Sequence, residues 1–466
     1  MIALSKRGGA LRGIVVVLSV VVGALAVGAA VALPGGLVYL AGGAASVAAF
    51  SVSLATRRYP NPAWFLAAAM FIDAIVWLAD RLELPAVAAM GAVLVVIPVP
   101  FAAAAILNER IARRAIRLPE VGLSMALVAF AALSLSWSDN DSYGTEKLAL
   151  FLFRGLIPGL GILVLASIKR PSWNVILAAA TGYGLLVLLW GEVSLLYPGR
   201  WTIGSANPIW VARAALLPAT LAIWTKNSSR GLRVSAFSVS ILVAWRAQSR
   251  GPVVAFVAAV LIGSLVPHLV SFLRGTRSRG MGRILVLLLL GGLVLVGVVR
   301  YAQSPGERLT ALGNLQEVAS DPNITFREGT YVRAIEAIRQ DPLVGSGLGG
   351  FSATGEREYP HNILLELGVE LGVVGVLLWL ALATIWTWRA RTSQLLLSLV
   401  VQSVLYAMVS GDLAFNGEHI LIGMLVSSSV FWRDSFLPKG KDPLRASTDV
   451  RGQAGVDSPL GDIRTR

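Results

Sequence analysis

Long apolar runs decide what this chain can fold into. Run follows run from residue 13 to residue 432, most of them near the length of a bilayer crossing. A helix spanning a bilayer needs about 20 apolar residues. Backbone in hydrocarbon must satisfy its own hydrogen bonds, so only helices and closed barrels span. The runs are continuous rather than alternating, which excludes the outer-membrane barrel pattern. Charged residues make up 14% of the 466, against about 25% in a soluble domain. The sequence predicts an all-α polytopic integral membrane protein.

The expected spans are 13–33, 36–55, 62–79, 85–107, 119–137, 147–167, 174–196, 207–224, 232–246, 251–273, 283–300, 363–388, 394–411 and 418–432. That is about fourteen crossings, or twelve to thirteen if the shortest runs, 232–246 and 418–432, do not cross. The first run follows Lys6, Arg7 and Arg12 like a signal peptide, but no small-residue site stands out as a cleavage point and thirteen more spans follow, so it reads as a retained helix. Basic residues fall in every second connection: Arg57–Arg58, Arg110–Arg117, Lys169–Arg170, Lys226–Arg233, Arg274–Arg283 and Arg389–Arg391. The positive-inside rule makes these connections cytoplasmic. Both termini are then cytoplasmic as well, and the protein is placed in the cytoplasmic (inner) membrane. The chain divides into an N-terminal segment 1–12, a membrane domain 13–432 containing a large outer loop 301–362, and a polar tail 433–466 without a core-forming pattern.

The formal charge of +14 is thus mostly a topology signal, not a nucleic-acid footprint. There is no cysteine, which excludes disulfides and thiolate metal sites, and the three histidines (His268, His361, His419) are scattered.

Against that topology, basic residues on the outer side stand out. Arg200, Arg246 and Arg250 lie at outer helix ends, and Arg308, Arg327, Arg333, Arg339 and Arg357 lie in the 301–362 loop. Arg250 stands where an apolar helix begins, so its charge needs a partner or a wet cavity. Within the loop, Phe326 to Gln340 has helical spacing of Tyr331, Ala334 or Ile335, and Ile338, with Arg327 opening that face. Pro342 ends it. An amphipathic helix there is expected to lie flat on the outer surface. The following Gly345–Gly350 cluster, GSGLGG, lacks the ending of a nucleotide loop and reads as a flexible turn. Tyr359-Pro360-His361-Asn362 then leads straight into a span, placing His361 at the bilayer surface, where an imidazole can act as a general base. Glu366 and Glu370 follow on one face of that span, as functional or pairing carboxylates.

Four segments together carry a resemblance. Gly204 to Pro208, Ser249-Arg250-Gly251, the Arg327 helix with Asp341 to Phe351, and Tyr359 to Gly372 resemble the O-antigen ligase/polymerase family over roughly residues 200–432. The resemblance implies a glycosyltransferase of the large lipid-donor superfamily, free of metal or other cofactor and inverting. It implies a glycan moved from undecaprenyl pyrophosphate to an acceptor outside the cytoplasm during cell-surface polysaccharide synthesis. By motif position, Arg250 and Arg327 would hold the pyrophosphate and His361 would take or orient the acceptor proton. Arg333, Arg246, Asn207, Asn362 and Glu366 would line the substrates, and Asp412 and Glu418 are alternative bases. Ligases of the family use a lipid A core acceptor; polymerases use another lipid-linked repeat unit. Fourteen spans exceed the twelve expected of the ligases, which favours a polymerase or a ligase for some acceptor other than lipid A.

The competing reading is a transporter or flippase of lipid-linked oligosaccharide. It too needs cations for pyrophosphate, but places charges on midplane helices, where Arg154, Glu192 and Arg213 are the few candidates. The sugar, the acceptor and the oligomeric state leave no trace in the sequence.

Overall fold

The structure, a computed structural model, describes residues 48–83, 98–195, 197, 199–274, 322–352, 358–409, 412–414 and 416–432. The expected spans 13–33 and 283–300, most of 36–55, the first half of 85–107, Arg308, Arg357 and the 433–466 tail lie outside these residues. Among them the fold is helical apart from one short hairpin. The helices are α1 (Ala63–Met70), α2 (Ile72–Arg81), α3 (Pro98–Asn108), α4 (Arg110–Ala115), α5 (Pro119–Ser134), α6 (Asp141–Phe151), α7 (Ile157–Ile168) and α8 (Trp173–Trp190). After the hairpin come α9 (Pro208–Trp224), α10 (Arg230–Ala247), α11 (Arg250–Leu273), α12 (Pro322–Gln340), α13 (Ile363–Ala390), α14 (Gln394–Val409) and α15 (Gly417–Ser428). The hairpin pairs β1 (Glu192–Val193) with β2 (Trp201–Thr202), Glu192 opposite Thr202.

Helix boundaries fall where the local chemistry puts them. Asn140, Asn207, Ser229 and Asn362 each cap the helix that follows, accepting backbone N–H groups left without intrahelical partners. Pro119 and Pro208 occupy first helical positions, where a missing N–H costs nothing. Gln248 takes a left-handed conformation (φ 47°) at the end of α10, and Arg250 starts α11 two residues later. The 119–137, 207–224, 232–246, 251–273, 363–388 and 394–411 runs each become a helix with nearly those bounds. The 62–79 run is instead two helices bent by 69° at Phe71.

By length and composition, five helices among the described residues can cross a membrane, or six if the bent pair counts as one span. This supports an all-α membrane protein without confirming fourteen crossings. Two of the five, Asp141–Ile168 and Ile363–Ala390, are 28 residues long, about 42 Å of helix against a hydrocarbon thickness of about 30 Å. Each is interrupted about ten residues from its N-terminal end. The first is α6 joined to α7 through a π-helical turn at Leu152–Leu156. The second breaks at Gly372, whose φ of 61° and ψ of −161° no other residue adopts cheaply. The segments beyond these interruptions carry the site.

Packing is close where small residues meet. Gly155 and Gly159 lie against Gly417, Ile420 and Met424 of α15, and Gly423 receives the Trp386 ring, as expected where helix association depends on close backbone approach. α9 packs on α10, α11 on α14, α7 on α15 and α5 on α13, enclosing a core that includes Leu163, Val211, Trp379, Trp386 and Leu425.

Candidate functional site

α12 begins four residues earlier than expected, at Pro322, and ends at Gln340 before Pro342. Its Thr330 and Ala334 are buried, and Ile338 lies against Gly368 of α13. Arg327 is half-buried on this same protein-facing side, so α12 brings its guanidinium to the outer end of α13, where His361 waits.

His361 has a φ of 54°, a left-handed conformation uncommon for a non-glycine residue and strained. The strain is held from both sides: Pro360 is buried, and Asn362 caps α13 through Leu364 N–H (3.0 Å) and Leu365 N–H (3.3 Å). The Tyr359 ring lies against the imidazole, tilted by 59° with centroids 4.4 Å apart. Nδ1 of His361 is buried without a hydrogen-bond partner among the described residues. Burial and the Arg327 charge push the imidazole down to about 4. It is therefore neutral at physiological pH and able to accept a proton. Burial first, then Asp412 and Tyr197, raises the Tyr359 phenol above its ordinary range, leaving a neutral hydroxyl.

The other expected site residues fall into three groups. Arg250 is half-buried at the first position of α11, where Gly251 lies against Val409 at the outer end of α14. Arg246 is exposed, with its guanidinium 4.5 Å from the Trp201 ring centroid. Arg333 is 54% exposed, paired with Glu358 at 2.9 Å and near the Phe351 ring. Asn207 caps α9 through Ile209 N–H and donates from Nδ2 to the Tyr197 hydroxyl at 3.3 Å. Glu366 is fully buried, and it faces a lysine. Among the described residues no three His, Asp or Glu side chains converge as metal ligands.

That lysine, Lys147 of α6, was not singled out by sequence. Its Nζ lies 2.5 Å from Glu366 Oε1 and donates to both oxygens of Glu370 at 2.7 Å. The available signal was a lysine within the first two turns of an apolar run, where a charge needs a partner. Glu366 Oε1 also accepts Leu413 N–H at 3.0 Å, and Tyr143 donates to Asp412 Oδ2 at 2.9 Å. From the other side, Arg213 of α9 donates to Asn416 Oδ1 at 2.8 Å and to the Tyr406 carbonyl. Asp412, Leu413 and Asn416, between α14 and α15, are thus non-helical backbone buried among helices and held by side chains from α6, α13 and α9. Such backbone is tolerated at membrane depth only where it is enclosed in protein. Asp412, read as an alternative base in an outer loop, is fully buried in this clamp.

Glu418, the second alternative base, sits in the first turn of α15. With Asp73, Arg154 and Trp210 it lines a cavity of about 30 Å³, large enough to hold ordered water. Of the three midplane charges considered for a transporter, Arg213 is held in the clamp, Arg154 lies 5.6 Å from the Trp210 ring centroid beside the cavity, and Glu192 is exposed on the hairpin. His419 accepts from Trp379 Nε1 at 2.9 Å, and His268 meets Gln394 at 3.2 Å.

The GSGLGG segment is not a flexible turn. Ser346 N–H and Gly347 N–H donate to the Val369 and Glu370 carbonyls, and Val373 N–H donates to the Pro342 carbonyl. A Cβ at Gly345 (φ 69°) would stand 2.5 Å from Glu370 backbone. The segment is pressed into the break of α13, satisfying carbonyls that the break exposes.

Arg327, a neutral histidine at a helix mouth and a buried clamp of charges are drawn from segments far apart along the chain. Residues 214–380 match the O-antigen ligase family. The matched segment contains Arg246, Arg250, Arg327, Arg333, His361, Asn362, Glu366 and Glu370, whereas Asn207 and Arg213 precede it and Asp412 follows it. Lys147 lies far upstream, yet it pairs with two carboxylates inside that segment. No curated protein matches the chain.

Proposed function

We propose that this membrane protein is an O-antigen ligase/polymerase-type glycosyltransferase of the inner membrane, with both termini cytoplasmic. It moves a glycan from an undecaprenyl-pyrophosphate donor to an acceptor hydroxyl outside the cytoplasm. The observation that carries this reading is the meeting of Arg327 and His361 within the family-matched segment, with a neutral imidazole whose Nδ1 is unpartnered.

In the reaction the acceptor oxygen attacks the anomeric carbon of the donor. The bond from that carbon to the pyrophosphate oxygen breaks, and its electron pair leaves with undecaprenyl pyrophosphate. Attack from the opposite face inverts the centre. His361 takes the acceptor's hydroxyl proton. Arg327 and Arg250 hold the leaving pyrophosphate through paired N–H donors, stabilising negative charge as it develops. An anion on Arg327 also offsets the positive field that keeps His361 weakly basic, so donor binding raises the basicity of the imidazole when it is needed. No metal enters this scheme. Of the two acceptors, the fourteen spans read from sequence favour another lipid-linked repeat unit over lipid A core.

The test is turnover by purified protein in lipid with an undecaprenyl-pyrophosphate oligosaccharide and EDTA. Release of undecaprenyl pyrophosphate with a lengthened lipid-linked glycan is expected of a polymerase. Transfer to an added acceptor instead would indicate a ligase. A folded preparation that releases nothing with any acceptor would overturn the enzyme reading and move weight to transport.

A further inference from the structure

The end of α13 opposite His361 borders a second, wider cleft. α13 is 28 residues long, about 42 Å, so its last turn stands at the other membrane face, the one read as cytoplasmic from its basic connections. There Trp388, Arg389, Arg391 and Thr392 meet Arg274, which ends α11, and Ser429 and Val430 of the 3₁₀ turn that follows α15. They line about 320 Å³, within the span of ligand-sized cavities, about 300–1,000 Å³. Three guanidiniums face this cleft, and one carboxylate answers them. Arg389 Nη2 donates to Oε2 of the buried Glu120 at 3.1 Å, which fixes it as one wall. Arg391 lies 3.7 Å from the Trp388 ring centroid and donates from Nη1 to the Trp388 carbonyl. Its guanidinium is thereby held at the cleft. Among the described residues no carboxylate pairs with Arg274 or Arg391. Phe272 and Leu273, immediately before Arg274, are exposed, as is Val430. In a bilayer such surface is covered by acyl chains, which are as apolar as leucine.

We propose that this cleft binds the phosphate of an anionic phospholipid headgroup. Arginine meets phosphate oxygens with paired N–H donors, and Arg274 and Arg391 reach the cleft from two different helices with no carboxylate of their own. Arg389, already held by Glu120, adds a fixed positive wall. Basic clefts between membrane helices, close to the surface, suit anionic headgroups for this reason. A charge that only sets orientation needs no cleft, whereas these three share one. Trp388, 64% exposed beside them, stands where amphipathic rings rest at headgroup level. The acyl chains of the bound lipid then run along Phe272 and Leu273. A zwitterionic lipid offers the same phosphate but cancels its charge, so the cleft discriminates by net charge. The site shares no residue with the Arg327–His361 site and does not rest on the glycosyltransferase reading.

The experiment is native mass spectrometry of the full-length, delipidated protein titrated with phosphatidylglycerol or with phosphatidylcholine of the same acyl chains. Wild type should take its first phosphatidylglycerol on the order of tenfold more tightly than phosphatidylcholine. Arg274→Gln/Arg391→Gln should abolish that preference. Arg57→Gln/Arg58→Gln removes the same charge from two exposed arginines of another basic connection and should keep it. If the Arg274→Gln/Arg391→Gln protein does not fold, Arg274→Gln alone, at an exposed helix end, should weaken the first phosphatidylglycerol about fivefold, the worth of one basic residue near a lipid surface. Excess inorganic phosphate should leave the bound lipid in place. Displacement by phosphate would give the cleft to a soluble anion and overturn the lipid assignment. Equal loss in the Arg57/Arg58 variant would reduce the effect to general positive charge. Undiminished preference in a folded Arg274 variant, or none in wild type, overturns the proposal outright.

Discussion

Tyr143 and Asp412, 269 residues apart in sequence, meet through a buried 2.9 Å hydrogen bond from the phenol to the carboxylate. The bond ties the first turn of α6 to the connection between α14 and α15. Tyr143→Phe removes the donor while keeping the ring. The loss should cost about 1–3 kcal/mol, the range for leaving a buried polar group short of a partner. Thermal unfolding in nanodiscs measures it, and an unchanged midpoint would mean that Asp412 is held equally well by its other neighbours.

Arg327→Ala should reduce turnover on the order of 10²- to 10³-fold, the usual cost of removing one donor from a developing anion. It should also move the acid limb of kcat/KM to higher pH. Removing a cation beside His361 favours protonation, so its midpoint climbs from about 4 towards its ordinary value. Loss of rate with no movement of the limb would separate Arg327 from His361.

The low His361 midpoint makes a signed prediction for wild type. Because kcat/KM reports the free enzyme, activity should hold from neutral pH down to about 4 and fall below that. Stability has the same sign. The unfolded chain binds a proton through its ordinary histidine range while the folded chain does not, so stability declines as pH falls from about 6.5 and levels off below the folded midpoint. A pH–rate profile whose acid limb lies near 6.5 would show that the imidazole is not shielded in this way.

Two glycines should behave oppositely. Gly372→Ala forces a side chain into a φ of 61° and 2.3 Å from Leu343 backbone, and should cost on the order of 1–3 kcal/mol or more. Gly329, in α12 with open space around its Cβ position, should tolerate alanine or gain up to about 1 kcal/mol. Both are read by unfolding midpoint, and equal effects would argue that the α13 break is not sterically demanded.

Asn362→Asp should retain the cap of α13, whereas Asn362→Ala should lose about 0.5–2 kcal/mol. If the aspartate variant is folded yet loses donor binding, the side chain touches substrate as well as capping the helix.

Helix limits were legible locally. Hydropathy set the 119–137 and 251–273 helices, because it depends on neighbours a few residues away, whereas the Asn362 cap came only with the structure. His361 and Arg327 stood out because a histidine at a helix mouth and arginines on the outer side break the expected charge pattern. The GSGLGG segment misled, since a glycine cluster reads as freedom until the surface that presses on it is known; here that surface is the break at Gly372.

Sequence alone determined that this is a helical membrane protein and that His361 stands at the entrance of a long apolar helix. The tertiary structure decided which buried charges compensate one another. Lys147 and Glu370 are 223 residues apart, and no local period links them. Desolvation makes an unpaired charge costly whatever its distance along the chain, so the partner is chosen by which helices pack side by side.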